Sequence, residues 1–201
     1  MPNWCYTQIT INCDDKNKLE EFEKRINEWT SHNYIENGFG LNWLGNIVGN
    51  SGIGTTDTGE EIYLRCRGRL TYLDNTGDQL IIDTETAWEP MLKMWVKLLD
   101  KYLPEAELIY QAQECGFELY LTNDPYLFDR YIVDIFDPVE ELEDIEGVDD
   151  YDQKQLKMML QKLLDTNEED IETLLAMFEE SDFPDHMAIH KWDIVEPDNL
   201  D

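Results

Sequence analysis

The sequence predicts an α+β fold, a mainly antiparallel sheet with two helices on one face. Three observations lead there. Residues 5–13, CYTQITINC, alternate in the period-2 pattern of a strand with one buried face. Apolar residues recur at helical spacing at Leu19, Phe22, Ile26 and Trp29, and again at Met91, Leu92, Trp95, Leu98, Leu99 and Tyr102. Short β runs flank the turn-forming stretches Asp74-Asn75-Thr76-Gly77-Asp78 and Glu114-Cys115-Gly116.

Taken in order, the first strand puts Cys5, Thr7, Ile9, Ile11 and Cys13 on one face. Asp14 or Asp15 is placed to cap the following helix, which ends near Thr30. Residues 31–60 read as a long irregular loop. Leu41-Asn42-Trp43-Leu44 is a short apolar piece within it, and Gly45, Gly49, Gly52, Gly54 and Gly59 punctuate it. A phosphate-binding loop would need a lysine after its glycines, and no lysine or arginine lies between Arg25 and Arg65.

From Glu61 to Leu73 the pattern is strand-like. Ile62, Leu64 and Cys66 fall on one face, and Tyr63, Arg65, Arg67 and Arg69 on the other. In so acidic a chain the arginines are expected to pair with carboxylates on a facing strand. A second strand follows at Leu80-Ile81-Ile82, then the turn Thr86-Ala87-Trp88-Glu89-Pro90. Pro90 sits where a helix start loses no hydrogen bond, and Pro104 ends that helix. Leu108-Ile109-Tyr110 and residues 117–121 form the last hairpin.

This order, β-α-(loop)-β-β-α-β-β, is ferredoxin-like. Met1-Pro2-Asn3-Trp4-Cys5, Thr86-Ala87-Trp88 followed by Pro90, and Glu114-Cys115-Gly116-Phe117 together resemble the ferredoxin-like domain of Api92/YubB-type proteins of phages, plasmids and other mobile elements. The resemblance covers about residues 1–122. It implies the fold and a mobile-element setting, and it brings no catalytic residues.

The expected division is a ferredoxin-like α+β domain over 1–125 and an acidic helical extension over 126–201. Tyr126–Phe136 is apolar enough to dock, and Val139–Asp152 is mostly acidic. Leu156, Met159, Leu160, Leu163 and Leu164 share one helix face, and Ile171, Leu174, Leu175 and Phe178 another, which makes an acidic helical hairpin. Thr166-Asn167-Glu168-Glu169 has the pattern of a capping box. Met187–Val195 returns as a strand or packed tail.

Charge is the outlier of the composition. Forty-five acidic residues against fifteen basic ones give a formal net charge of −30. Such a field repels nucleic acid and anionic membranes and favours cations and basic protein surfaces. The partner-binding candidates are Glu140, Glu141, Glu143, Asp144, Asp149, Asp150, Asp152, Glu168, Glu169, Glu172, Glu179 and Glu180. Glu168, Glu169, Asp170, Glu172, Glu179 and Glu180 would fall within a helix about 21 Å long at ~1.5 Å per residue. Its six carboxylates (with Asp170) would then average about one charge per 3.5 Å, against ~3.4 Å along one DNA strand. A solvated helix face explains the same pattern.

Cys5, Cys13, Cys66 and Cys115 lack C-x-x-C spacing and read as reduced, mostly buried thiols. The N-terminus has neither a basic nor an apolar leader region, and no run reaches the ~18 apolar residues of a membrane span, so a cytoplasmic protein is expected. His186 and His190 have metal-compatible spacing but lack the H-E-x-x-H pattern. No cofactor or specific metal is expected.

The expected function is non-enzymatic: a DNA-mimic-like inhibitor whose acidic surface binds the basic, nucleic-acid-binding surface of a host defence or DNA-processing protein. The alternatives are an acidic immunity or antitoxin-like protein neutralising a basic toxin, and an enzyme with an unrecognised site in residues 31–60.

Overall fold

In the computed structural model of the chain, the described residues are 3–35, 39–57, 63–114, 116, 118–137, 139–143, 145 and 148–200. The chain is α+β and divides into two compact units, one formed by residues 1–124 with 194–201, the other by 125–193.

The first unit opens with β1 (Trp4–Asn12), whose Cys5, Thr7, Ile9 and Ile11 are buried as the alternation requires. Helix α1 (Lys16–Thr30) follows, and Asp15 caps it by accepting from the backbone N–H of Asn17 and of Lys18 at 3.1 and 3.3 Å. Leu19, Phe22, Ile26 and Trp29 form its buried stripe.

The segment expected to be an irregular loop instead contains α2 (Leu44–Ser51). Its glycines are packing contacts: a Cβ on Gly45 would overlap the Trp43 indole, and one on Gly49 the Tyr34 ring. Its asparagines tie down the preceding chain. The Asn46 amide donates to Gly40 O and Leu41 O and accepts from Tyr34 N, while Asn50 donates to Trp29 O and His32 O. Loop-like composition thus encodes a short helix bound to its own lead-in.

β2 spans Gly68–Asn75, shorter than the Glu61–Leu73 run expected, and residues 61 and 62 lie outside the described ones. β3 (Gln79–Ala87), α3 (Leu92–Tyr102), β4 (Glu107–Glu114) and β5 (Leu119–Thr122) complete the predicted order. Cys115 and Phe117, in the bend between the last two strands, lie outside the described residues. β2–β3, β3–β1, β1–β4 and β4–β5 all pair antiparallel. Ile9 faces Ile82 on one side and Tyr110 on the other, so three buried side chains line up across the sheet. They share one apolar cluster with the stripe of α1, with Leu44, Ile47 and Val48 of α2, and with Leu92, Trp95 and Leu98 of α3.

The second unit is not helical alone. β6 (Arg130–Ile135), the segment expected to dock as an apolar strap, is the middle strand of a three-stranded sheet. β7 (Val148–Asp152) and β8 (Met187–Lys191) pair antiparallel on either side of it. Helices α4 (Gln153–Leu163) and α5 (Ile171–Glu179) pack with the sheet. Tyr131, Val133, Leu156, Leu160, Leu174, Phe178 and Met187 make the shared core.

The capping box of this unit is Asp152 with Gln155, at the start of α4. Thr166-Asn167-Glu168-Glu169 is not a cap: Asp170 caps α5 by accepting from Thr173 N at 2.9 Å. A last short strand, β9 (Asp193–Ile194), brings the chain beside β5, and Tyr110 OH then donates to Val195 O.

No helix among the described residues is long and apolar enough to cross a membrane.

Candidate functional site

Glu140 and Glu141 begin a 3-10 turn, with Glu143 just after it, and all three are exposed. Asp144 lies outside the described residues. Asp149 and Asp150 belong to β7, but their side chains are likewise not among those described. The Asp152 carboxylate is engaged in its cap.

Glu168 is half-buried and accepts from the backbone N–H groups of Glu169 and Asp170, so it shapes the turn before α5. Glu169 pairs with Lys157 at 2.7 Å, which holds its carboxyl below the usual range. Glu172, Glu179 and Glu180 are exposed.

Because α5 spans only Ile171–Glu179, about 13.5 Å at ~1.5 Å per residue, Glu168, Glu169 and Asp170 precede it and Glu180 follows it. The spacing of charge along one 21 Å helix therefore does not hold. What remains is a set of outward carboxylates on two segments of one unit.

His186 Nδ1 lies 3.0 Å from Asp137 Oδ2, and His190 sits in β8 opposite Ile132. Among the described residues no three metal-ligating side chains converge.

A different site, which the sequence reading missed, lies in the first unit. A cavity of about 460 Å³ is lined by Trp4, Phe39, Trp43, Tyr63, Arg67 and Arg69. Trp4 is 44% exposed, Tyr63 39% and Phe39 78%, so three aromatic faces remain open to solvent. The Trp43 indole is buried and donates to Cys66 O at 2.6 Å, with Phe39 tilted against it at 4.9 Å between centroids.

Arg67 and Arg69, which line it, differ from each other and from the neighbouring Arg65. Arg69 faces Glu85 across β2 and β3 and bonds it, Nε to Oε2, at 2.8 Å. Arg65 closes on Glu89. Between them, Arg67 O accepts from Ala87 N at 2.7 Å, so the residue across from Arg67 is an alanine, and the exposed guanidinium has no hydrogen bond or ion pair among the described residues. The expected pairing of arginines with carboxylates therefore holds for two of the three.

Beside this cavity the described residues of the three short motifs, among them Asn3, Thr86, Trp88 and Gly116, come together. Trp88 N donates to Asn3 O at 3.0 Å, and Thr86 Oγ1 donates to Glu89 O at 2.7 Å. A Cβ on Gly116 would overlap the Asn3 amide, and Gly116 N donates to the buried Glu114 carboxylate at 2.9 Å. Trp88 adopts φ 77°, a left-handed conformation that a tryptophan holds only when its surroundings enforce it. The two hydrogen bonds do so, and the resulting kink carries Glu89 to Arg65. The spacing of the three short motifs was the available signal that they share one end of the sheet.

The nearby thiols are buried. Burial pushes Cys5 up to about 11 and Cys66 up to about 12, so both stay protonated at neutral pH. Cys5, Cys13 and Cys66 are free and buried.

No family model matches the chain, and neither a curated protein nor a solved structure does.

Proposed function

We propose that the protein is a non-enzymatic, acidic binding protein whose second unit engages a basic, nucleic-acid-binding surface of another protein and inhibits it, in the manner of a DNA mimic. The observation that carries this reading is a set of outward-facing carboxylates. Glu140, Glu141, Glu143, Glu172, Glu179 and Glu180 are exposed, and their side chains make no ion pair or hydrogen bond among the described residues. They belong to a chain of net charge −30, whose field would speed the approach of a cationic partner.

The fold is read here as ferredoxin-like, with α4 and α5 as an acidic helical hairpin. The succession β1-α1-β2-β3-α3-β4 with the neighbour order β2-β3-β1-β4 supports the first, with α2 as an addition. The pairing of α4 with α5 over Leu160, Leu174 and Phe178 supports the second. A mobile-element setting of the Api92/YubB type and a cytoplasmic location complete the proposal, and a host defence or DNA-processing protein is the partner it implies.

Capture of partners from host lysate at low and high salt tests the reading. The expected partner is basic, binds DNA, and is released as salt shortens the field's reach from about 10 Å at 0.1 M to ~3 Å at 1 M. Capture only of partners that resist salt and do not bind DNA would contradict it.

A further inference from the structure

We infer that the cavity between Trp4 and Arg67 is a binding site for a mononucleotide, a flat aromatic base carrying a single phosphate. The inference is independent of the acidic surface on the second unit, because every residue it uses lies in the first.

Chemistry narrows the ligand in three steps. The open faces of Trp4, Phe39 and Tyr63 favour a planar ring, since an aromatic ligand stacks on them in place of water. Arg67 offers only donors and a permanent positive charge, so the group it holds most strongly is an anion that accepts hydrogen bonds.

The neighbouring arginines show that this cation is left open in a place where its neighbours are not. Glu85 meets Arg69, Glu89 meets Arg65, and Ala87, the residue across from Arg67, lines the cavity instead of filling it with a carboxylate. A chain with forty-five acidic residues leaves this guanidinium without a partner among those described. The volume, about 460 Å³, lies in the range of small-ligand pockets.

Total charge then selects among nucleotides. One guanidinium and a stacked ring can hold one phosphate against a field of −30, but each further phosphate adds repulsion with no further unpaired arginine among the described residues of the cavity to meet it. A mononucleotide is therefore favoured over a single-stranded oligonucleotide, although both present the same base and phosphate.

The test is a titration of the full chain with AMP, GMP, CMP and UMP, followed by tryptophan fluorescence and calorimetry. Adenosine, inorganic phosphate and a ten-residue oligo(dT) run in parallel. At least one mononucleotide is expected to saturate the protein below millimolar concentration, at least about tenfold more tightly than adenosine or phosphate alone. Trp4→Ala should weaken that nucleotide by about tenfold or more through the lost stacking surface. Arg67→Ala should bring the nucleotide down to the affinity of its nucleoside, and Arg67→Lys should restore part of the difference. Circular dichroism and melting of each variant verify that it is folded, and Met158→Ala, at an exposed position of α4 in the other unit, should bind as the unaltered protein does.

Failure of all four mononucleotides to bind at millimolar concentration would overturn the inference. So would equal binding of nucleotide and nucleoside to the unaltered protein. Tighter binding of oligo(dT) than of any mononucleotide would overturn the choice of ligand and point to single-stranded nucleic acid.

Discussion

Arg69 and Glu85 stand directly opposite each other on β2 and β3, with Nε of the one 2.8 Å from Oε2 of the other. The pair lies at the rim of the aromatic cavity and neutralises an arginine that would otherwise compete with Arg67 for an anion. Glu85→Gln should therefore change stability by less than about 1 kcal/mol, as expected for a solvent-accessible pair. It should also strengthen anion binding at the cavity by freeing a second guanidinium. Urea denaturation and nucleotide titration of this one variant check both effects.

Helix α2 provides a prediction of unusual sign. Gly→Ala inside a helix ordinarily stabilises by up to ~1 kcal/mol. At Gly45 and Gly49 the new methyl would overlap the Trp43 and Tyr34 rings, so each substitution should instead destabilise by about 1–3 kcal/mol. Gly45→Ala should in addition disturb the cavity, because Trp43 lines it. Equilibrium denaturation of the two variants gives the answer, and a gain in stability at either position would show that the rings are not packed on these glycines.

These glycines also explain what could be read in advance. The alternation of Cys5 to Cys13 and the stripe Leu19-Phe22-Ile26-Trp29 were legible because strand and helix periodicity survive in elements that bury one face. α2 was not legible. Gly45 and Gly49 serve neighbouring rings, and Asn46 and Asn50 serve neighbouring carbonyls, so its composition mimics a loop.

β6 and β7 were obscured for another reason. Both are short, and they form the second unit's sheet only through partners distant in sequence, with β6 pairing across to β8. The cavity was half-visible. The alternating arginines were apparent, but which arginine is left unpaired among the described residues is set by register, through Glu85 and Ala87, which periodicity does not convey.

Acid should loosen the second unit through Asp170. Hydrogen bonds from Thr173, backbone first and then hydroxyl, hold this carboxyl below its ordinary value. A depressed folded-state pKa contributes stability that is fully present above the unfolded value of about 3.9 and is lost as pH falls through the folded one. Asp170→Ala should thus lower the melting temperature at pH 7, and the gap from the unaltered protein should narrow as pH drops below about 4. A gap that stays constant with pH would indicate that the cap acts through shape rather than charge.

The thiols give a simple chemical test. Cys5 and Cys66, with pKa values pushed up to about 11 and about 12, should resist alkylation at pH 8 in the folded protein and react on unfolding in guanidinium. Peptide mapping by mass spectrometry after iodoacetamide treatment reads each site separately. Rapid labelling of Cys5 in the native state would show that the end of the sheet beside Asn3 and Thr86 opens.

The most direct measurement of the central claim is competition between this protein and duplex DNA for its captured partner. The informative variant reverses Glu140, Glu141, Glu172, Glu179 and Glu180 to lysine. It spares Glu168 and Glu169, whose side chains hold the turn and pair with Lys157. The buried residues Ile171, Leu174 and Phe178 are untouched, so the fold should persist within about 0.5 kcal/mol per exposed site. The account predicts that the unaltered protein displaces DNA from the partner at low salt, and that the folded variant associates much more slowly and no longer displaces it. A folded variant that binds equally well and still displaces DNA would contradict the claim.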